Sequence, residues 1–164
     1  MSGERQSSSL AVVLGMGNLI LSDDGLGVQA LHLLEQDPRV PAGASLVDAG
    51  TFGVELLGYV AGARRLLVLD AVDVGAAPGT LIRMEGEALS RLPAAGNAHD
   101  VSLADLLLAL RLMGQEPGSV VLIGIQPARI EPGTELSQPV RAALAKLVDA
   151  AVRELAADGE CPGR

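Results

Sequence analysis

Short apolar runs alternate along the chain with longer stretches in which apolar residues recur every three or four positions. A continuous apolar run of about four to eight residues is typical of a buried strand, whereas recurrence near 3.6 positions is typical of a helix with one buried face. These patterns predict strands at 10–15, 45–48, 65–72, 80–85 and 120–125. They predict helices at 25–35, 53–61, 103–113 and 137–157.

The order of these elements predicts an α/β fold. Strands that alternate with helices form a twisted, mainly parallel sheet with helices on both faces. The strand at 65–72 is the most apolar and is expected at the centre, while the strand at 80–85 alternates in polarity after the turn Pro78-Gly79. We therefore expect a three-layer α-β-α architecture with a five-stranded sheet that includes one antiparallel edge strand.

Composition agrees with one domain. The chain has 164 residues, of which 49% are apolar and only 1% aromatic, so Leu, Val, Ile and Ala must form the core. We expect a single domain over 10–157, between flexible tails at 1–9 and 158–164.

Charge and cysteine usage exclude several classes of protein. A net charge of −8 argues against a nucleic-acid partner, because phosphates require a Lys/Arg surface. The single cysteine, Cys161, excludes an internal disulfide framework and a four-cysteine zinc site. No apolar run is long enough to cross a membrane, and the polar segment Met1–Ser9 lacks the apolar centre of a signal peptide. We expect a soluble, cytoplasmic, monomeric protein with no membrane partner.

Chemistry-bearing residues gather at one edge of the predicted sheet. Asp24 follows the first strand, Asp48 ends the second, Asp70 ends the third, and His99 lies in the loop before the helix at 103–113. In open α/β sheets, ligands bind outside the carboxyl ends of the strands. Asp24, Asp70 and His99 form a candidate metal-binding set that leaves coordination positions open.

Each of these residues also has an ordinary structural interpretation. One aspartate of Asp23-Asp24 is enough to cap the following helix, which leaves the other for the cleft. A carboxylate at the position of Asp70 is costly unless it is paired or bound to a metal. His99 alone is as often a surface histidine as a ligand, and His32, inside the first helix, is expected to have a surface or packing role.

The glycines after the first strand raise the possibility of a nucleotide site. Gly15-x-Gly17 is similar to the start of a dinucleotide-binding fingerprint, but Ile20 stands where a third small residue is needed. The acidic pair Asp23-Asp24 would also repel a pyrophosphate at the helix start. A tight turn, in which backbone approaches backbone, is the favoured role of these glycines.

Five motifs, in order along the chain, resemble those of the hydrogenase maturation proteases. They are Gly15–Gly27, Val47–Gly53, Leu69–Val72 with Ala77–Thr80, Ala98–Asp105 and Gly124–Pro127. The resemblance covers about residues 11 to 155, nearly the whole chain. It implies an endopeptidase that removes a C-terminal extension from the large-subunit precursor of a nickel-iron hydrogenase after nickel has been inserted.

The resemblance also assigns roles to residues. It implies that Asp24, Asp70 and His99 contact nickel carried by the precursor, with Asp24 at a position that is Glu in some members. In the isolated protein, zinc or cadmium is expected to occupy the same place. Asp48, Gly50 and Thr51 are candidates for binding the extended C-terminal segment, although a turn or a helix cap is equally compatible with them.

Alternatives remain open at this point. Nickel can act as a recognition handle or as a Lewis acid. The family's grouping with aspartic peptidases suggests instead that Asp24 and Asp70 share a proton and activate water as a catalytic pair. A non-catalytic metal-binding chaperone that checks nickel loading would keep every motif, and a nucleotide-binding domain is a third, less favoured possibility.

Overall fold

A five-stranded mixed sheet forms the middle of the molecule. The computed structural model describes residues 11–50, 54–92 and 102–157. Within them the strands are β1 (Ala11–Met16), β2 (Ala44–Gly50), β3 (Arg65–Ala71), β4 (Leu81–Glu85) and β5 (Ser119–Ile125). The α-helices are α1 (Leu26–Glu35), α2 (Leu57–Val60), α3 (Leu103–Leu112) and α4 (Gln138–Ala157), and short 3₁₀ turns cover Ser22–Gly25, Val54–Leu56 and Gly86–Arg91.

The order of the strands is β2-β1-β3-β5-β4. Strand β3 lies at the centre, as its apolar sequence predicts, and its residues Leu66–Leu69 are fully buried. All neighbouring strands are parallel except β4, which pairs antiparallel with β5 at the edge. The predicted three-layer architecture with one antiparallel edge strand is therefore confirmed.

Two apolar layers cover the two faces of the sheet. On one face Leu67 and Leu69 pack with residues of α1 and α4, and on the other Leu66 and Val68 pack with residues of α2 and α3. Successive strand residues point to opposite faces, which is why neighbouring residues of β3 belong to different layers. Both halves of the core consist almost entirely of aliphatic side chains, as the composition requires.

Glycine allows α1 to lie directly on the sheet. A Cβ added at Gly27 would overlap the carbonyl oxygens of Met16 and Leu69, and one added at Gly15 would lie 2.7 Å from the Gly27 carbonyl oxygen. The first turn of α1 therefore sits between the ends of β1 and β3. Backbone approaches backbone here, as predicted for Gly15, and the contact fixes the segment that precedes the helix.

The helix boundaries follow local sequence signals with two exceptions. Ser102 caps α3 through a reciprocal capping box with Asp105, as its position predicts. Neither Asp23 nor Asp24 caps α1 through its side chain, so that expectation is wrong; the chain enters α1 through a 3₁₀ turn instead. Within the described part of the helix predicted at 53–61, Val54–Leu56 form a 3₁₀ turn and Leu57–Val60 are α-helical.

Some expectations lie outside the described residues, namely the two tails at 1–9 and 158–164 and the residues Thr51 and His99. No helix in the described ranges is both long and apolar enough to cross a membrane.

Candidate active site

Asp24 is held at the carboxyl end of β1 by the turn that the glycines form. Its Oδ2 accepts a hydrogen bond from the backbone N–H of Asn18 at 2.9 Å. Gly17 has a φ of 118°, and a Cβ there would overlap the Asp24 carbonyl oxygen, so only glycine permits this closure. The Asp24 side chain is half-buried. The opening motif thus serves to place one carboxylate.

Asp23, the neighbouring aspartate, fastens two loops together. Its completely buried carboxylate accepts hydrogen bonds from the N–H groups of Ala128, Arg129 and Ser137 at 2.8, 3.0 and 2.6 Å, and from the Ser137 hydroxyl at 2.8 Å. Burial alone would raise the pKa of Asp23, but these hydrogen bonds outweigh it and lower the pKa below its ordinary value. The residue is a charged anchor for the loop between β5 and α4.

Asp70 occupies the penultimate position of the central strand. Its Oδ1 accepts a hydrogen bond from the N–H of Ala71 at 2.8 Å. Burial and the negative charge of Asp24 raise the pKa of Asp70 to about 7, against the opposing effect of that hydrogen bond. The 3₁₀ turn after β1 and the end of β3 thus bring Asp24 and Asp70 close enough for their charges to interact.

This pair has a defined chemical capacity. Near neutral pH the raised pKa of Asp70 leaves one carboxyl group that readily gains or loses a proton beside a second carboxylate. Such a pair suits general acid–base chemistry on a water molecule, and it also suits a cation, which would relieve the repulsion between the two charges. Within the described residues, no group of three His, Cys, Asp or Glu side chains could hold a metal ion by itself.

Gln126 braces the loop that follows Asp70. This buried side chain accepts from the N–H groups of Val74 and Ala76 at 2.8 and 3.2 Å, and it donates to Asp73 Oδ1 at 3.0 Å. The Gln126 side chain thereby joins the ends of β3 and β5. The position of Gln126 directly after β5 could have indicated a role at this edge of the sheet. No sequence pattern indicated the hydrogen-bond partners of Asp23.

Of the predicted substrate-binding residues, Asp48 and Gly50 lie on the edge strand β2, and Thr51 lies outside the described residues. Gly50 accepts from the N–H of Gly17 at 3.1 Å, which brings the end of β2 beside the turn that holds Asp24. The exposed Asp48 lies 3.7 Å from His32 Nε2 of α1, on the α1 face of the sheet, whereas the alternation along β3 places Asp70 on the α2–α3 face. The structure thus brings Asp24 and Asp70 together and leaves Asp48 on the other face.

Fold and site together define an α/β protein with paired carboxylates at the carboxyl edge of a mainly parallel sheet. A family model described as hydrogenase maturation protease matches residues 28–154. The chain therefore belongs to the hydrogenase maturation protease family, a family of peptidases. The opening motif, which places Asp24, precedes the matched residues.

Individual relatives agree with this family. The chain is 38% identical over 156 residues to the hydrogenase expression/formation protein HupM of Azotobacter chroococcum mcd 1, covering 93% of this chain and 75% of the relative. It is 36% identical over 148 residues to the hydrogenase 2 maturation protease of Escherichia coli K12, covering 87% and 90%. The solved structure of the hydrogenase maturating endopeptidase HybD from E. coli superimposes with a TM-score of 0.80 and covers 88% of this chain and 92% of that one at 36% identity.

Proposed function

We propose that this protein is an endopeptidase that removes the C-terminal extension of a nickel-iron hydrogenase large-subunit precursor once nickel has been inserted. The single observation that carries the proposal is the coupling of Asp24 and Asp70 at the sheet edge, in a chain of this family. Two neighbouring carboxylates are costly when both are ionised, and a cation brought by the substrate would lower that cost. Cytoplasmic location and a monomeric state belong to the same proposal.

In this proposal nickel is cargo of the precursor and serves as the recognition handle. Asp24 and Asp70 supply two oxygen ligands, and His99, outside the described residues, supplies an imidazole. Two carboxylates and one imidazole form an incomplete shell, so the precursor must provide the remaining ligands. Nickel-free precursor would lack the group that these side chains recognise and would remain uncut.

The carboxylate pair also accounts for the hydrolytic step. Asp70 is the group whose pKa lies near neutrality, so we assign it two steps: its carboxylate accepts a proton from the attacking water, and the resulting carboxylic acid returns that proton to the amine nitrogen as the peptide C–N bond breaks. Asp24, which accepts a hydrogen bond from the backbone N–H of Asn18, orients the water or the nickel ion of the precursor. This assignment is compatible with the grouping of the family with aspartic peptidases.

The extended C-terminal segment of the precursor would reach this pair past the end of β2. Gly50 lies beside the turn that holds Asp24, because its carbonyl accepts from the N–H of Gly17, and Thr51 follows it in the sequence. Because Asp48 lies on the α1 face beside His32, it would contact a part of the segment farther from the cut.

The test is to incubate the protein with nickel-loaded and with nickel-free precursor and to record the intact mass of both. We expect the loaded precursor to lose its C-terminal extension and the nickel-free precursor to keep its mass. A non-catalytic chaperone that checks nickel loading would bind the loaded precursor without any loss of mass. Equal cleavage of both forms would contradict the proposal that the protease recognises its precursor through nickel.

A further inference from the structure

Exposed aliphatic side chains stand on each of the three loops that surround the carboxylate pair. Leu19 and Ile20 follow β1, Val74 follows β3 and Ile130 follows β5. Because β1, β3 and β5 are parallel, these loops meet at one edge of the sheet, the edge that carries Asp24 and Asp70. We refer to the four side chains as the apolar rim. Ile20 is 65% exposed and Ile130 is 53% exposed, which is unusual for isoleucine.

The loops of the apolar rim are fastened to one another. Gly133 donates its N–H to the Ile20 carbonyl at 2.9 Å and accepts from the N–H of Ser22 at 2.8 Å. The Ser22 hydroxyl donates to the Glu131 carbonyl at 2.8 Å. Ser22 has a backbone φ of 50°, which residues other than glycine rarely adopt. The positions of Ile20 and Ile130 are therefore fixed by backbone contacts and not by burial of their own side chains.

The third loop is joined to the same assembly. The Gln126 side chain accepts a hydrogen bond from the N–H of Val74. Asp23 accepts from the N–H groups of Ala128 and Arg129, which follow Gln126 by two and three residues. The charged neighbours of the rim have partners within the same loops, since Asp73 accepts from Gln126 and Arg129 lies 3.7 Å from Glu131. The three loops thus present exposed aliphatic side chains in a fixed arrangement, with Asp73, Arg129 and Glu131 exposed beside them. Such preorganisation lowers the cost of binding.

We propose that the apolar rim is the docking surface for the folded body of the precursor, distinct from the cleft that receives its extended segment. This proposal rests on the proposed function and names the contact that positions that substrate. A complementary partner must present apolar surface around a positively charged centre, because the rim surrounds two carboxylates. A metal-loaded precursor has that charge at the point where its extension must be cut.

Charge argues against two other occupants. A second copy of this chain, docked rim to rim, would bring its own carboxylate pair against Asp24 and Asp70. An anionic membrane surface would be repelled by the same pair and by a chain of net charge −8. A folded substrate with a cationic centre meets neither obstacle.

The experiment compares two double variants in the processing of nickel-loaded precursor. Ile20→Gln with Ile130→Gln removes the most exposed rim residues. Leu108→Gln with Leu112→Gln removes two leucines of α3 that are at least as exposed and that do not belong to the rim. We expect the rim variant to raise KM about tenfold or more with kcat nearly unchanged, and the α3 variant to behave as the wild type. An unchanged KM for the rim variant, or an equal rise for both variants, would overturn the proposal.

Three further measurements test the other occupants and separate failure of this proposal from failure of the proposed function. Sedimentation that shows a wild-type dimer abolished by the rim substitutions, or rim-dependent binding to phosphatidylcholine–phosphatidylglycerol vesicles, would overturn docking of the precursor. If wild-type protein leaves the precursor uncut, the proposed function fails, and calorimetric titration with uncut nickel-loaded precursor then tests the rim alone. In that titration, affinity that falls only for the rim variant would support the docking surface.

Discussion

At the residue scale, two aspartates at the same edge of the sheet have opposite electrostatic environments. Asp23 accepts four hydrogen bonds and is stabilised as a carboxylate, whereas burial and the like charge of Asp24 destabilise the ionised form of Asp70. The importance of Asp24 and Asp70 could be predicted from their places after strands. The anchor role of Asp23 could not, because its donors lie more than one hundred residues later in the chain.

We expect Asp23→Asn to destabilise the fold by about 2–4 kcal/mol at pH 7. The uncharged amide would lose the charge-assisted hydrogen bonds, and its own NH₂ group would face the N–H donors that surround this position. The pKa of Asp23 is lowered in the fold, so its stabilisation is present above the ordinary value of 3.8 and is lost as pH falls through the lowered value. Urea unfolding at pH 7 and at pH 3 measures this. A difference between the variant and the wild type that grows in acid would contradict the account.

Asp70→Asn should have the opposite effect on stability. The folded pKa of about 7 exceeds the ordinary value of 3.8, so ionised Asp70 costs stability, increasingly from pH 4 and fully above pH 7. At about 1.4 kcal/mol for each unit of pKa, the variant should be more stable than the wild type by between about 1 and 4 kcal/mol at pH 8. The gain should vanish near pH 4. Thermal unfolding at both pH values checks the sign, and a variant less stable at pH 8 would refute it.

At the scale of elements, local signals decide most boundaries and long-range contacts decide the rest. Apolar runs located four of the strands, alternating polarity located β4, and Ser102 at the N-cap position located the start of α3. The 3₁₀ turn Ser22–Gly25 was not predictable, because its geometry depends on Gly133 and Glu131 from a distant loop. The position of α1 depends on Gly27, whose close contact with β1 and β3 appears only in the folded sheet.

Gly27→Ala should therefore destabilise the protein by about 3 kcal/mol or more, because the new methyl group overlaps two carbonyl oxygens and must push α1 from the sheet. Gly58→Ala is the matched control: it lies in α2, where an added Cβ meets nothing within 4 Å. There we expect no loss, and up to about 1 kcal/mol of gain from helix propensity. Guanidinium unfolding of the two variants decides this, and equal effects would show that contact with the sheet is not the cause.

At the scale of the whole molecule, the sheet topology brings residues that are distant in the sequence together in one site. Parallel strands bring the loops after β1, β3 and β5 to one edge, so Asp24, Asp70, the brace Gln126 and the apolar rim all share it. The sequence could predict this edge, since element order fixes where parallel strands end. Which face of the sheet Asp48 occupies required the register, because a shift of one residue would move its side chain to the other side.

The most direct test of the central claim, that the coupled carboxylates at this edge perform the processing, is the intact mass of nickel-loaded precursor after incubation with Asp70→Asn protein. Asp149→Asn is the control, with the same change of charge at a half-exposed site on α4. We predict that Asp149→Asn protein removes the extension at the wild-type rate and that Asp70→Asn protein, although folded and more stable at pH 8, is slower by about a hundredfold or more. Full processing by Asp70→Asn protein at the wild-type rate would contradict both the role of Asp70 toward nickel and its role as the proton carrier.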